Sequence, residues 1–285
     1  MSPDLPTSHQ QTPKLPTPEG SDQGRDDAGA SSMRSIRLET LHRASDKFIR
    51  LAEGKLDLDV QACPGWSVAD LVGHLGGVYS WAVMVMAAGG TRPAGKRASA
   101  PDDHSSLVEW FAERRSDLLD SVSSLPGDAA AWSFSTRSAA TISWWLRRQA
   151  AETAIHLHDL EDAVGYTRDA ARNEGEAEAV SPAAAADGAD EVLTDIAPSY
   201  LDRNPSAELS GTLHVHASDT PGEWIINFDS KPVLVRREHA KADAAVRGPA
   251  RSLFLWLWNR RPLDESALEV FGNRDIARSW ERVRL

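Results

Sequence analysis

The apolar residues of this chain keep a helical spacing as far as Leu201 and then shift to a period of two, and few folds tolerate such a change. Ile36, Leu38, Leu41, Phe48 and Leu51 recur on one helical face from Ser35 onward. Cys63-Pro64-Gly65-Trp66 interrupts that run, and Ser67 with Asp70 has the form of a capping box opening the next helix. Leu71, Leu75, Val78, Ala82 and Val85 mark its stripe, which Gly89-Gly90 ends. Ser105–Leu125 reads as a third helix stopped by Pro126-Gly127, and Thr141–Val164 as a fourth capped by Gly165. An Ala-rich fifth runs from Pro182 to about Leu201, before a polar break at Asp202 to Pro205. Leu213, Val215 and Ala217 then alternate with Thr212, His214 and His216, as a half-buried strand does. Trp224–Phe228, Val233–Arg237 and Leu268–Phe271 read as further strands, with short helices after Gly248-Pro249 and from Asp275. The expected fold is therefore α+β in two domains: a helical bundle over 34–203 and a small α+β unit over 204–285. Residues 1–33, rich in Pro, Ser, Gly and Asp, are expected to be a disordered tail, with Met33 an alternative start.

Composition narrows the chemistry. A formal net charge of -11 argues against nucleic-acid binding, which needs a concentrated basic surface. The single cysteine, Cys63, excludes an intrachain disulfide and a Cys-cluster zinc site, so a metal has to be held by His and carboxylates. No uninterrupted apolar run approaches the roughly 20 residues that span a bilayer. The start has neither a basic nor an apolar leader region, so no membrane partner and a cytoplasmic location are expected.

Glu152 and His156, four apart on the fourth helix, share a face, and His74 falls on the inward stripe of the second. If those helices are neighbours, two imidazoles and a carboxylate meet inside the bundle, a donor set suited to zinc or a similar metal. Spacing alone fits a hydrogen-bonded core histidine more often than a ligand. Asp159, three after His156, is a candidate partner for its ring, a capping role being the alternative. His158 points away from that face. His214 and His216 share a strand face but have no evident third ligand, so they read as ordinary sheet residues. Nothing visible lowers the pKa of Cys63, which reads as a packed small residue. The ten tryptophans, Trp66 and Trp144-Trp145 among them, suggest core and cavity lining.

The run Ala62–Gly77, containing Pro64-Gly65-Trp66 and His74-Leu75-Gly76-Gly77, resembles the "PGW…HLGG" signature of the mycothiol-dependent maleylpyruvate isomerase family. Glu152–Asp159 resembles that family's "E-x-x-x-H-x-x-D" block, and Ala186–Glu191 is similar to a third. Leu213–Asp219 and Val246–Ala250 extend the resemblance to the C-terminal unit, so it covers about residue 35 to the end. It implies a DinB-like four-helix bundle holding a divalent metal, most simply zinc, on His74, Glu152 and His156, with a sterol-carrier-like α+β domain behind it. It also implies mycothiol, the small thiol of actinobacteria, as cosubstrate. A cation stabilises thiolate over thiol, giving a nucleophile for a small electrophile in isomerisation or S-transfer. The alternatives are a non-catalytic metal-binding or regulatory protein of the same fold, acting as monomer or homodimer, and a metal-dependent hydrolase. Arg260 is a candidate for binding an acidic substrate, a solvated helix-end arginine being the plainer reading. Asn259 stands beside it where the family pattern has Gly.

Overall fold

The computed structural model describes residues 23–166, 178–203 and 209–283; of the tail expected for 1–33, residues 1–22 lie outside them and 23–33 are helical. The first helix, α1 (Gln23–Ala52), begins well before Ser35. The last proline ahead of it is Pro18, so nothing breaks propagation back from the apolar stretch. Helices α2 (Val68–Ala87), α3 (His104–Ser124) and α4 (Ile142–Ala163) complete the bundle. Its core is built from Leu41, Phe48, Leu71, Leu75, Tyr79, Phe111, Leu118, Leu146 and Leu157, all essentially inaccessible. The capping box at Ser67 and Asp70 forms as expected, with the side chain of each bonded to the backbone of the other. Gly76 sets how closely α2 and α3 approach: a Cβ there would lie 2.3 Å from the Trp110 ring. By length and composition α2 could cross a membrane; here most of it is buried against the rest of the bundle.

Helix α5 (Pro182–Glu191) continues through a π-helical turn at Val192–Ile196 into α6 (Ala197–Arg203). The expected boundary at 203/204 assigned this segment to the bundle, but its apolar residues Ala185, Ala189, Val192 and Leu201 share a core with the sheet. By packing, the second domain therefore starts near Pro182. The reason lies in Gly188, where the Phe254 ring fills the space a Cβ would occupy, 2.6 Å away.

The sheet contains β1 (Thr212–Ala217), β2 (Glu223–Asn227), β3 (Leu234–Arg236), β4 (Ala244–Gly248) and β5 (Glu269–Gly272), in the order β3-β2-β1-β4-β5. Strand β1 runs antiparallel to β2 and parallel to β4, and α7 (Ala250–Leu257) follows β4 directly. Leu213, Val215, Trp224 and Ile226 point into a core closed by Leu253, Trp256 and Trp280, the last just after α8 (Arg274–Ser279). His214 and His216 are left on the opposite face.

Three polar connections tie bundle to sheet domain. Arg37 and Arg147 reach Asp187 of α5 at 2.7 and 3.2 Å. Asp190 takes Arg147 from α4, the Trp224 indole N–H from β2 and Arg237 from beyond β3. Arg260 and Arg261, beyond α7, reach back to Asp159 and Asp162 of α4.

Candidate metal centre

Helix α4 carries Arg148, Glu152, His156 and Asp159 down one stripe, at intervals of four, four and three. Helix α2 presents His74 to the middle of it. His74 Nε2 and His156 Nε2 each lie 3.4 Å from the same oxygen, Glu152 Oε1. Donors about 2.1 Å from a common tetrahedral ion sit roughly 3.4 Å apart, so the three atoms are spaced as ligands are. The two rings stand nearly perpendicular, with centroids 5.1 Å apart. The three residues singled out from sequence thus converge, and their donor set fits a divalent metal.

Two of the three, Glu152 and His156, are held from behind. The second oxygen of Glu152 is taken by Arg148 in a very short contact, and Arg148 also holds Glu191 at 2.5 Å. Burial alone would raise the Glu152 carboxyl, but Arg148 and the two imidazoles outweigh it and hold the group well below the usual carboxylate range. Glu191 is the outer anion; burial keeps its carboxyl raised despite Arg148. His156 Nδ1 is bonded to Asp159 Oδ2 at 2.9 Å, which turns Nε2 toward Glu152. Burial would depress this imidazole, yet Asp159 and Glu152 lift it to about 9. A metal there has to displace a proton.

The capping alternative for Asp159 does not hold: the residue is mid-chain in this network. Arg260 donates Nε and Nη2 to its two oxygens at 2.7 and 2.9 Å. Arg260 is accordingly neither a free anion-binding residue nor a solvated one; its charge is spent on Asp159. Asn259 adopts φ 55, the left-handed conformation that a glycine would supply, and its side-chain amide donates to the Val283 carbonyl at 2.5 Å. The geometry that aims Arg260 therefore survives the loss of the glycine.

The Cys63-Pro64-Gly65-Trp66 turn, with Gly65 at φ 83, lays the Trp66 ring 4.9 Å from that of His74. It also leaves Cys63 Sγ 3.9 Å from Asp159 Oδ2. Burial and then the Asp159 charge push the thiol up, so Cys63 beside the centre is a protonated group. Its nearness to the site is something spacing did not reveal. His158 lies outside the cluster, buried and 3.7 Å from Asp162.

A cavity of about 500 Å³ opens on His74 and Glu152. Trp81, Trp132, Phe134 and Trp145 form its wall, and Arg92, Lys96 and Arg97 its rim. Gln149 lies on its floor, fully buried, with neither end of its amide bonded among the described residues. A second hollow of about 520 Å³ reaches the other side of His74 between Gly73, Gly77 and Ala98–Asp102. Arg148, Gln149 and the 92–97 segment were not among the sequence candidates; the four-residue step from Arg148 to Glu152 was the visible signal.

On the sheet, the expectation that His214 and His216 lack a third ligand fails. Glu223 and His239 close on them, and one ligand atom from each of the four lies within 4.8 Å of the others. Glu223 faces His216 across β1 and β2, while His239 comes from the irregular segment after β3, which periodicity could not place.

A helical bundle with an inward His-Glu-His set, followed by a small α+β domain, defines a two-domain protein whose bundle carries donors that could hold a metal. Residues 38–161 match the mycothiol maleylpyruvate isomerase N-terminal domain and residues 183–278 the C-terminal domain of the same proteins. The chain belongs to that family. It is similar in fold to the crystal structures of a mycothiol-dependent maleylpyruvate isomerase and of a His-to-Ala mutant of it. Each has a TM-score of 0.51 and 13% identity, over 83% of this chain and 92% of the other. No curated protein sequence matches.

Proposed function

We propose that this chain is a metal-dependent enzyme that uses mycothiol to attack a small electrophile, as an isomerase or S-transferase. The observation that carries the reading is the convergence of His74, Glu152 and His156 on one point, with His74 and Glu152 lining an aromatic-walled cavity. The similar solved structure is that of a mycothiol-dependent maleylpyruvate isomerase, which suggests the thiol and the substrate class.

A divalent metal held there, with zinc the simplest fit to two imidazoles and a carboxylate, supplies the charge that keeps a thiol sulfur ionised at neutral pH. The chain's own groups do the rest. Arg148 keeps one oxygen of Glu152 occupied and directs the other to the centre, so Glu152 serves as a ligand and not as a general base. Asp159, anchored by Arg260, fixes the ring of His156. The tryptophan wall excludes water from the reacting atoms. The unpartnered Gln149 amide offers one donor and one acceptor to a bound polar group. Arg92, Lys96 and Arg97 give an acidic electrophile its counter-charge, the role first expected of Arg260. Addition of the sulfur to one alkene carbon leaves a single bond that rotates; expulsion of the same sulfur restores the double bond in trans geometry. No atoms or electrons are gained or lost.

The test pairs elemental analysis of purified protein with turnover of maleylpyruvate in the presence and absence of mycothiol. The expected result is thiol-dependent isomerisation that disappears, together with one equivalent of metal, in His74→Ala. A His74→Ala protein with the metal content of wild type overturns the reading. Hydrolysis without added thiol would redirect it to metal-bound water chemistry.

A further inference from the structure

A second cluster of donors lies on the outer face of the sheet. His214 and His216 alternate on β1, Glu223 pairs with His216 in register on β2, and His239 folds over them from the segment after β3. Glu223 Oε1 is 3.2 Å from His216 Nδ1, and Oε2 is 2.7 Å from His239 Nδ1 and 3.6 Å from His214 Nε2. These separations bracket the spacing of about 3.4 Å expected between ligands of one tetrahedral ion. The three imidazoles are mutually near-perpendicular, at 77 to 87°, with centroids 5.1 to 6.4 Å apart. The three rings therefore meet edge to face around the one carboxylate.

Ordinary ion pairing does not satisfy this cluster. The carboxylate is hydrogen-bonded to His239 and lies 3.2 Å from His216, but His214 Nε2 is buried and has no hydrogen-bond partner among the described residues. His214 itself is only 6% exposed. A buried ring nitrogen 3.6 Å from a carboxylate, just beyond hydrogen-bond reach, is a costly arrangement without a further group to bind. The nearest cation on this face, Arg247 beside His216, is already paired with Glu269 at 3.0 Å, so its charge does not repel an incoming ion unopposed.

We infer that His214, His216, Glu223 and His239 form a second divalent transition-metal site, separate from the bundle centre. Three imidazoles and one carboxylate suit zinc and its neighbours and disfavour magnesium or calcium. Four protein donors correspond to a closed, structural site, so its work is to pin the irregular 237–243 segment onto the sheet. Two of the donors come from one strand, a third from its neighbour and the fourth from that segment, so the ion crosslinks three pieces of backbone.

The experiment uses full-length protein stripped with chelator, refilled with zinc for elemental analysis and with cobalt for visible spectroscopy. Wild type is expected to bind two equivalents. His74→Ala is expected to bind one, with the cobalt absorption of a tetrahedral, nitrogen-rich site. The double variant His216→Ala/His239→Ala is expected to bind one, and to lose the metal-induced rise in melting temperature that belongs to the sheet domain. His239 is 76% exposed, so the single His239→Ala variant keeps the fold and serves as the check on the double one; its sheet-site affinity falls at least tenfold. Unchanged stoichiometry and affinity in both His239 variants overturn the proposal. So does a His74→Ala protein that binds nothing, and that result leaves the bundle reading intact.

Discussion

The bundle and the sheet each gather imidazoles around a single glutamate, but they surround the gathering differently. In the bundle, the groups other than His74 have a second partner behind them: Glu152 has Arg148, Arg148 has Glu191, His156 has Asp159, and Asp159 has Arg260. On the sheet, Glu223 serves three histidines alone, and its exposure is 29% against 16% for Glu152. Preorganisation by outer partners fixes both the position and the protonation of ligands. The first site is thus rigid before anything binds and keeps a cavity open beside it, as a reacting centre needs. The second depends on its ion for order, as a staple does. The sharpest way to break this contrast is His74→Ala. Metal at the bundle and thiol-dependent turnover should be abolished, at least a thousandfold in rate, while the sheet site keeps its metal; a variant that binds no metal would overturn the sheet site.

The next largest effect belongs to Arg148. Removing one member of a buried charge network strands the others, typically at 3–5 kcal/mol. Arg148→Met leaves Glu152 and Glu191 facing each other without a cation, in a place where both are almost fully enclosed. We expect a large drop in the denaturation midpoint of metal-free protein, partly recovered on adding metal, because the ion supplies the missing positive charge to Glu152. A double variant, Arg148→Met/Glu191→Gln, should recover part of the stability without metal. Chemical denaturation with and without zinc measures both.

Asp159→Asn probes the outer support more gently. An amide still accepts from His156, but the charge is gone and Arg260 loses its bidentate partner. Outer partners of this kind are worth about 10–100-fold in metal affinity. Competition titration against a chromophoric chelator should show such a weakening at the bundle and none at the sheet. An equal loss at both sites would mean that the support acts through global stability and not through His156.

The ease with which each part could be read from sequence follows the same division. The helices, their caps and the shared face of Glu152 and His156 were legible because period, Ser67-Asp70 and the Glu152–His156 interval are local patterns, and local patterns survive folding. The family-like blocks then joined His74 to α4, which no periodicity could do. What stayed hidden was tertiary. Arg260 looked free because its partner Asp159 is 101 residues away. His239 looked irrelevant because it sits in an irregular segment, yet it completes the sheet cluster. The helix from Pro182 looked like bundle because helical spacing does not say which core a helix joins. Similarly, Gly188 and Asp190 carry no message until Phe254, Arg147, Trp224 and Arg237 are placed around them.

Asp190 offers the finest test, since it is the joint through which the two regions would communicate. It accepts from Arg147 of the bundle and from Trp224 and Arg237 of the sheet domain. Burial alone would raise its carboxyl, but Arg237, Arg147 and the indole N–H outweigh that and hold it below its ordinary value near 3.8. A carboxyl depressed in the folded state contributes stability that is fully present above its unfolded pKa and disappears as pH falls through the folded value. Asp190→Asn should therefore cost roughly 1–3 kcal/mol at neutral pH, the range for hydrogen bonds to a charged group, and progressively less below about pH 4. Urea melts at pH 7 and pH 3 measure the difference, and a penalty that grows toward acid contradicts the assignment. If the regions are independent, the metal affinities of both sites stay unchanged in this variant even as the protein loses stability. A parallel shift in both would instead identify Asp190 as the point at which closing one site sets the geometry of the other.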